Sequence, residues 1–215
     1  MTKLTDKGRG IRDMFDRIAP RYDLLNRLLS LGIDRRWRRF AVRQLSVPEG
    51  GMVLDIATGT GDVALEIGRQ TDSSVKIVGS DFTQGMLVLG RDKAAESPYS
   101  DRILLVNAPC ESMPHPDAIF DGITIAFGIR NVVDRQKGLS EMVRVLKPGG
   151  RMAFHVIFVT PGLSDLDAAG AVAAGPPYVA AQASYPDLLA LAGFGEIDEV
   201  DLTDQYRTTA AAWLL

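Results

Sequence analysis

The sequence predicts an α/β fold in which a doubly wound, mostly parallel sheet follows an N-terminal helical arm. From about residue 50, apolar runs of strand length alternate with amphipathic helical stretches, which is typical of a parallel sheet covered by helices on both faces. Residues 11–45 instead alternate apolar clusters with arginines at helical spacing. We therefore expect an arm over residues 1–48 and a sheet domain over residues 49–215, together forming a single domain.

The individual elements follow from periodicity and from breaking residues. Pro20 and Gly32 are expected to divide the arm into short helices. The sheet is predicted to contain strands near 52–57, 75–80, 102–106, 122–126 and 151–159, with helices near 61–70, 84–95 and 135–146. The alanine-rich segment 167–183 predicts a helix followed by a Gly-Pro-Pro loop. A sixth strand is expected near residues 196–202.

Composition excludes several classes of protein. The 215 residues carry a net charge of −3, so no nucleic-acid partner is expected. The single cysteine, Cys110, excludes an internal disulfide framework and favours a reducing cytoplasm. No apolar stretch approaches the roughly 18 residues of a membrane span. Two histidines and one cysteine are too few and too scattered for a zinc site, so no metal site is predicted.

A glycine-rich turn is the most informative stretch of the sequence. It lies in "VLDIATGTGDVALEIG" (53–68), where residues 59–64 match the pattern G-x-G-x-x-A. Asp81 follows Gly61 by 20 residues, which is also the spacing of a dinucleotide-binding fingerprint. Gly59 and Gly61 are therefore expected to hold a nucleoside-bearing cofactor, and Asp81 to accept hydrogen bonds from its ribose hydroxyls.

The acidic residues around the turn favour S-adenosylmethionine over a nicotinamide cofactor. Asp55 stands in the strand before the turn, and Asp62 stands in the first turn of the following helix. A carboxylate there competes with a pyrophosphate for the positive end of the helix. S-adenosylmethionine has no phosphate and carries an ammonium and a sulfonium, which carboxylates would favour. An NAD(P)-dependent oxidoreductase remains the alternative from another class of enzyme.

Three further motifs occur at the ends of later strands, where ligands bind in open α/β sheets. They are "NAPCESMP" (107–114), "FDGITIAFGIRNV" (120–132) and "EMVRVLKPGGRMAF" (141–154). In this order the motifs resemble those of class I SAM-dependent methyltransferases, which implies a Rossmann-like fold.

A closer resemblance rests on "YDLLNRLLSLGIDRRW" (22–37), "DIATGTGD", "ITIAFGIRN" and "RVLKPGG". These motifs resemble the ubiquinone/menaquinone biosynthesis C-methyltransferase family over residues 11–152. The resemblance implies methylation of a demethylmenaquinol, or a related prenylated quinol, at a ring carbon. Carried over by position, the family's cofactor contacts fall on Thr60, Asp81, Asn107, Ala108 and Ala126, the last of which is usually a serine.

The sequence also departs from that family. Asp34 stands where the family usually has histidine, and after residue 152 the chain resembles a different, generic group of small-molecule methyltransferases. A methyltransferase for another small molecule and a non-catalytic protein of this fold are therefore alternatives. The segment "TTAAAWLL" (208–215) is predicted to be helical, which would leave the sheet without the usual seventh strand. An apolar strand edge exposed in this way favours self-association, although the sequence does not define an oligomeric state.

Candidate catalytic residues follow from the chemistry of ring methylation, which needs a phenolate-like oxygen. Arg130, beside Asn131 at the end of the fourth strand, could stabilise that oxygen or orient a water molecule. Tyr22 in the arm could close over the cofactor. The structural alternatives are an ion pair between Arg130 and Asp134, and simple packing of Tyr22.

The remaining notable residues are expected to be structural. His115 is expected to be solvated in its loop, His155 to be a core or sheet-edge residue, and Cys110 to be a small buried group. The arginine run at 35–39 is expected to form a solvated helix face. Because the family's substrates reside in membranes, contact of these arginines with anionic lipid is an additional hypothesis.

Overall fold

The computed structural model describes residues 6–29, 33–157, 159, 163–174 and 183–204. Its single sheet contains β1 (Met52–Ile56), β2 (Lys76–Asp81), β3 (Ile103–Asn107), β4 (Phe120–Ala126) and β5 (Leu146–His155). The strands are all parallel, in the order β3-β2-β1-β4-β5. The order reverses between β1 and β4, and ligands bind at such a switch point in open α/β sheets. The predicted α/β fold and its five strands are confirmed.

Helices cover both faces of the sheet, as predicted. They are α1 (Asp6–Leu29), α2 (Asp34–Arg43), α3 (Asp62–Gln70), α4 (Gln84–Ala95), α5 (Arg135–Val145), α6 (Asp165–Ala174) and α7 (Tyr185–Ala192), with a 3₁₀ turn at Ile129–Asn131. None of the helices within the described ranges is long and apolar enough to cross a membrane. The division into an arm over 1–48 and a domain over 49–215 stays a prediction.

The core has two parts because alternate residues of a strand point to opposite faces. Val53 of β1 packs with α2 and α3, whereas Leu54 and Ile56 pack with α5 and α7. Each part is lined mainly by Val, Ile and Leu, as is usual for a parallel sheet buried on both faces. The core thereby fixes the carboxyl ends of β1 to β5 along one edge of the sheet.

The arm begins with one continuous helix, so the predicted break at Pro20 is wrong. α1 contains Pro20 in its interior, where the missing N–H costs one helical hydrogen bond. Tertiary packing offsets that cost, because Ile11 and Ala19 are 1% and 5% exposed. Asp16 of α1 also accepts a hydrogen bond from the N–H of Gly85, at the start of α4, at 2.9 Å. Gly32, the other predicted break, lies outside the described residues.

The last strand differs from its prediction at both ends. β5 begins at Leu146, which pairs with Phe120, and the Pro-Gly-Gly segment then forms an irregularity before Arg151 pairs with Gly122. It ends at His155 rather than near 159, because its partner strand β4 ends at the opposite residue, Ala126.

The predicted sixth strand is wrong. Residues 195–202 are described and contain no strand. Alternation of apolar and polar residues does not produce a strand by itself, and the sheet ends at β5 without a further paired strand. In the alanine-rich segment, the helix is confirmed by α6, whereas the Gly-Pro-Pro loop lies outside the described residues. The predicted terminal helix at 208–215 also lies outside them, and self-association stays a prediction.

Candidate functional site

The turn that joins β1 to α3 occupies residues 57–61, at the carboxyl edge of the sheet. Gly59 and Gly61 have φ values of +56° and +80°, a region that favours glycine. The N–H of Thr58 donates to the carbonyl of Ser80 at 3.1 Å, which fixes the turn against β2. A Cβ on Gly90 of α4 would lie 3.1 Å from the carbonyl carbon of Thr60. The predicted turn therefore forms, and α4 packs closely against it.

Asp55 lies beneath this turn rather than on its surface. The side chain is 1% exposed and accepts hydrogen bonds from the hydroxyls of Thr58 at 2.6 Å and Thr124 at 2.8 Å. Burial raises the pKa of Asp55 to about 7, against the effect of these two hydrogen bonds. In this structure Asp55 holds the turn from below, and its predicted contact with a cofactor stays a prediction.

Asp81 ends β2 directly beside the turn. One carboxylate oxygen accepts from the N–H of Gly59 at 2.9 Å, and the other accepts from the N–H of Thr83 at 2.8 Å. The residue is 7% exposed, and burial raises its pKa despite these hydrogen bonds. Each oxygen has a second lone pair, so the carboxylate can also accept from a pair of ribose hydroxyls.

The predicted cofactor residues on β3 and β4 lie along the same edge. Asn107 is opposite Asp81 in the register of β2 and β3, and its side chain is exposed. Ala108 is buried, and its N–H donates to the carbonyl of Asp81 at 3.0 Å. Ala126 ends β4, two strands away from Asp81. With Thr60 and the two turn glycines, these residues extend along the ends of four neighbouring strands.

Tyr22 of α1 lies over the turn, and its predicted closure over the cofactor stays a prediction. Its Cε1 atom is 3.9 Å from the position that a Cβ on Gly59 would take, and its ring packs edge-on against Phe15 with centroids 6.1 Å apart. The arm is thus positioned to cover the turn.

A group of polar residues ties the arm to the turn. We call it the arm network; its members are Asp23, Asp34, Arg38, Thr60, Asp62 and Lys93. The Thr60 hydroxyl donates to Asp23 at 2.6 Å. Lys93 donates to Asp23 at 2.8 Å and to Thr60 at 3.0 Å. Burial alone would raise the pKa of Asp23, but the hydrogen bonds from Lys93 and Thr60 bring it below its ordinary value.

The second half of the arm network surrounds the first turn of α3. Asp62 forms ion pairs with Lys93 and with Arg38, the latter at 3.0 Å. Arg38 also pairs with Asp34 on the same helix. The network therefore joins α1, α2, α3 and α4, and contains three carboxylates and two cations. Sequence reasoning identified Asp62 and Thr60 but not Asp23, Arg38 or Lys93.

Arg130 and Asn131 lie in the 3₁₀ turn after β4, where both are half-buried. The carbonyl of Arg130 accepts a hydrogen bond from Arg135 at 3.1 Å. Burial raises the pKa of Tyr185 in α7, and the positive charge of the Arg130 guanidinium opposes that rise. The catalytic roles of Arg130 and Asn131 stay predictions.

An aromatic cluster, also missed from the sequence, lies between α2 and the ends of β4 and β5. Trp37 and Phe127 have ring centroids 5.7 Å apart, and Phe127 stacks on His155 at 5.8 Å with an interplanar angle of 14°. Phe40 lies 6.4 Å from the ring of His155. We call these four residues the aromatic wall. His155 ends a strand at the sheet edge, as predicted, but its imidazole lies within this wall.

The other residues noted from the sequence lie away from the turn. His115 is half-buried and packs edge-on against Phe120 at 5.2 Å, so the expectation of a solvated side chain is wrong. Cys110 packs beside Gly138, and burial raises the pKa of its thiol, in agreement with its predicted structural role. No group of three or more possible metal-ligating residues occurs within the described ranges.

The strand order, the glycine turn after β1 and the acid that ends β2 define the fold of class I SAM-dependent methyltransferases. A SAM-dependent methyltransferase from Aquifex aeolicus has a similar structure, with a TM-score of 0.64 and 22% identity, over 83% of this chain and 87% of that chain. The model of the ubiE/COQ5 methyltransferase family matches residues 1–169, and the chain belongs to that family.

Individual relatives agree with this assignment. The chain is 68% identical over 161 residues to the ubiquinone/menaquinone biosynthesis C-methyltransferase UbiE of Geobacter sulfurreducens, covering 75% of this chain and 62% of that protein. It is 51% identical over 147 residues to the demethylmenaquinone methyltransferase of Deinococcus radiodurans, covering 68% of this chain and 60% of that protein. The chain thus spans about three fifths of the length of these two relatives.

Proposed function

We propose that this chain transfers the methyl group of S-adenosylmethionine to a ring carbon of demethylmenaquinol or a related prenylated quinol. The observation that carries the proposal is the charge at the start of α3, where Asp62 occupies the helix end that would otherwise attract a pyrophosphate. The arm network has three carboxylates and two cations, so it favours a cationic ligand. Membership of the ubiE/COQ5 family supports the same cofactor.

The residues along the sheet edge fit S-adenosylmethionine, which when bound would supply a methyl group already activated by a sulfonium. Asp81 would accept from the ribose hydroxyls, and Asn107 and Ala108 would lie on the side of the adenine. Gly59, Thr60 and Gly61 would provide backbone contacts over β1. Because the ribose is assigned to β2, the methyl end of the cofactor is assigned to the side of β4, near Ala126.

The acceptor would then lie towards β4 and β5, where the aromatic wall offers an apolar surface for a quinol ring. Positioning and exclusion of water supply much of the acceleration in such a displacement. We assign closure over the turn to Tyr22, and stabilisation of the acceptor oxygen to Arg130 and Asn131. The names of the Geobacter and Deinococcus relatives support a quinone precursor as the acceptor.

A prenylated acceptor would be drawn from a membrane, and α2 carries a surface suited to approach one from the cytoplasm. Four exposed arginines lie on this helix, namely Arg35, Arg36, Arg39 and Arg43. Phe40 lies among them and is 37% exposed. Basic residues with an exposed aromatic are the features that attract a helix to anionic lipid. We therefore assign peripheral contact to α2, which co-sedimentation with anionic and with neutral vesicles tests.

The cofactor and the acceptor are tested separately. Calorimetric titration with S-adenosylhomocysteine and, in parallel, with NADH should give binding of the first alone. Incubation with labelled S-adenosylmethionine and reduced demethylmenaquinone should then transfer label to the quinol. Binding of NADH with no binding of S-adenosylhomocysteine would contradict the cofactor assignment. Transfer to a soluble phenol or amine in preference to every quinol would contradict the acceptor assignment.

A further inference from the structure

Glu111 joins the loop after β3 to the segment after β4. It lies in residues 108–114, which we call the β3 loop. One of its carboxylate oxygens, Oε1, accepts hydrogen bonds from the N–H of Val133 at 3.0 Å and the N–H of Asp134 at 3.4 Å. These two residues follow Asn131 by two and three positions. A single side chain therefore connects the side of the site assigned to the adenine with the side assigned to the acceptor.

The β3 loop is fixed near both of its ends. At its start, the N–H of Ala108 donates to the carbonyl of Asp81, and the hydroxyl of Ser80 donates to the carbonyl of Ala108 at 3.2 Å. Near its end, the N–H of Met113 donates to the carboxylate of Glu141, on α5, at 2.9 Å. Because Asp81 and Ala108 are assigned to the cofactor, a change on the adenine side reaches the middle of the loop through a short stretch of hydrogen-bonded chain.

Close packing brings the Glu111 carboxylate within reach of its partners. A Cβ on Gly138 of α5 would lie 2.8 Å from Sγ of Cys110 and 3.1 Å from Cγ1 of Val132. The lack of a side chain at position 138 therefore lets the β3 loop approach the start of α5, and Glu111 is the next residue after Cys110. A carboxylate is also favoured at the start of a helix because of the helix dipole.

The segment that carries Arg130 and Asn131 is held from two sides. From α5, Arg135 donates to the carbonyl of Arg130 at 3.1 Å, and from the β3 loop Glu111 accepts the two N–H groups described above. Residues 132–134 belong to neither a helix nor a strand, so regular backbone pairing does not fix them. Hydrogen bonds to a carboxylate are stronger than those between neutral groups, and they fix the backbone here.

We infer that Glu111 is a positioning residue of methyl transfer, which holds Arg130 and Asn131 in place through the backbone of residues 133 and 134. The inference rests on the proposed function. Glu111 is assigned no contact with the cofactor or the acceptor, and it moves no proton. Its effect on the rate follows from geometry, because a displacement of about 1 Å at a reacting centre costs ~10²-fold in rate. Through the β3 loop, the placement of Arg130 and Asn131 also depends on the adenine side of the site.

Two substitutions at position 111 separate the hydrogen bonds from the rest of the side chain. Glu111→Ala removes both bonds, so kcat for quinol methylation should fall about 10- to 100-fold. The KM for S-adenosylmethionine should change by less than about 3-fold, because Asp81 and Ala108 stay in place. Glu111→Gln keeps a side-chain oxygen for the same N–H groups and should restore kcat to within about 3-fold of the wild type.

Glu141→Ala is the matched control for a merely structural role. It removes the hydrogen bond that the same loop makes at Met113, but its carboxylate does not bond to residues 130–134. Both alanine variants should unfold at a lower temperature than the wild type, so stability does not distinguish them. At a temperature where circular dichroism shows both to be folded, Glu141→Ala should keep kcat within about 3-fold of the wild type.

Amide NMR measures the connection without turnover. In the wild type, S-adenosylhomocysteine should shift the amide signals of residues 107–110 and also those of Val133 and Asp134. In Glu111→Ala, the signals of residues 107–110 should still shift, whereas those of Val133 and Asp134 should move much less. Glu141→Ala should retain the wild-type pattern.

A Glu111→Ala variant with wild-type kcat would overturn the inference, as would an equal loss of kcat in Glu141→Ala or in Glu111→Gln. Equal shifts of the Val133 and Asp134 signals in the wild type and in Glu111→Ala would overturn it too. Each of these results, in a wild type that methylates quinols, leaves the proposed function standing. A wild type that binds S-adenosylhomocysteine but methylates no quinol overturns the proposed function and the inference together.

Discussion

Lys93→Met should loosen the arm from the turn while leaving the sheet intact. Lys93 contacts three other members of the arm network, Asp23, Thr60 and Asp62. The side chains of Lys93, Asp23 and Asp62 are 29%, 37% and 32% exposed, so each contact is worth at most about 1 kcal/mol. Together they amount to roughly 1–3 kcal/mol, which corresponds to about a 5- to 150-fold change in the equilibrium for opening of the arm.

Amide hydrogen exchange measures this change directly. Amides of residues 15–22 in α1 should exchange about 5- to 150-fold faster in Lys93→Met, whereas amides of β1 should keep their protection. Lys76→Met, an exposed lysine at the opposite end of β2, is the matched control. Added salt should accelerate exchange in the wild type more than in the variant, because screening weakens the same ion pairs. Equal exchange rates in α1 for the wild type and both variants would show that Lys93 does not hold the arm on the turn.

Three further changes test the turn and the residues below it. Asp81→Ala should weaken binding of S-adenosylhomocysteine about 10²-fold or more, since two charge-assisted hydrogen bonds of ~1.5–3 kcal/mol each are lost; equal calorimetric affinities for Asp81→Ala and Asp72→Ala would remove Asp81 from the site. Gly59→Val should abolish that binding in a folded chain, because a φ of +56° is unsuited to a β-branched residue and the new side chain points at Tyr22; unchanged affinity with a native circular dichroism spectrum would place the cofactor elsewhere. Asp55 has a folded-state pKa of about 7, raised from 3.8, so its contribution to stability is complete below pH 4 and is lost as the pH rises through 7. Asp55→Asn should therefore gain stability relative to the wild type from pH 5 to pH 8, by about 2–3 kcal/mol. A difference in urea-unfolding free energy between the two proteins that is the same at pH 5 and pH 8 would show that Asp55 is not protonated in the folded chain.

The sheet and the turn were predictable because their signals are local. The apolar runs of β1 to β4 and the glycines at 59 and 61 specify backbone conformation within a few residues. Pro20 and residues 196–202 were misjudged because tertiary contacts decide there. Packing of Ile11 and Ala19 sustains the helix through Pro20, while a strand at 196–202 would need a paired neighbour.

The partners of the predicted site residues could not be predicted. Thr60 was predicted as a cofactor contact from the family resemblance. Its contacts with Asp23 and Lys93 could not be predicted, because these residues lie 37 and 33 positions away in the sequence and no periodicity specifies contacts over that separation. The same holds for His155, which lies beside Phe40 and Phe127 only after the arm packs on β4 and β5. For Asp55, the residue type and its place before the turn were clear from the sequence, but its position beneath the turn depends on Thr124 of another strand.

Ring methylation is measured by incubating the chain with S-adenosylmethionine that carries a ¹³C-labelled methyl group and with reduced demethylmenaquinone, and by recording the carbon NMR spectrum of the isolated product. We expect a single labelled methyl bonded to a ring carbon, formed by the wild type and greatly reduced in Asp81→Ala. Label on a quinol oxygen would contradict ring methylation, and a quinol recovered without label from a chain saturated with S-adenosylmethionine would contradict the proposed function.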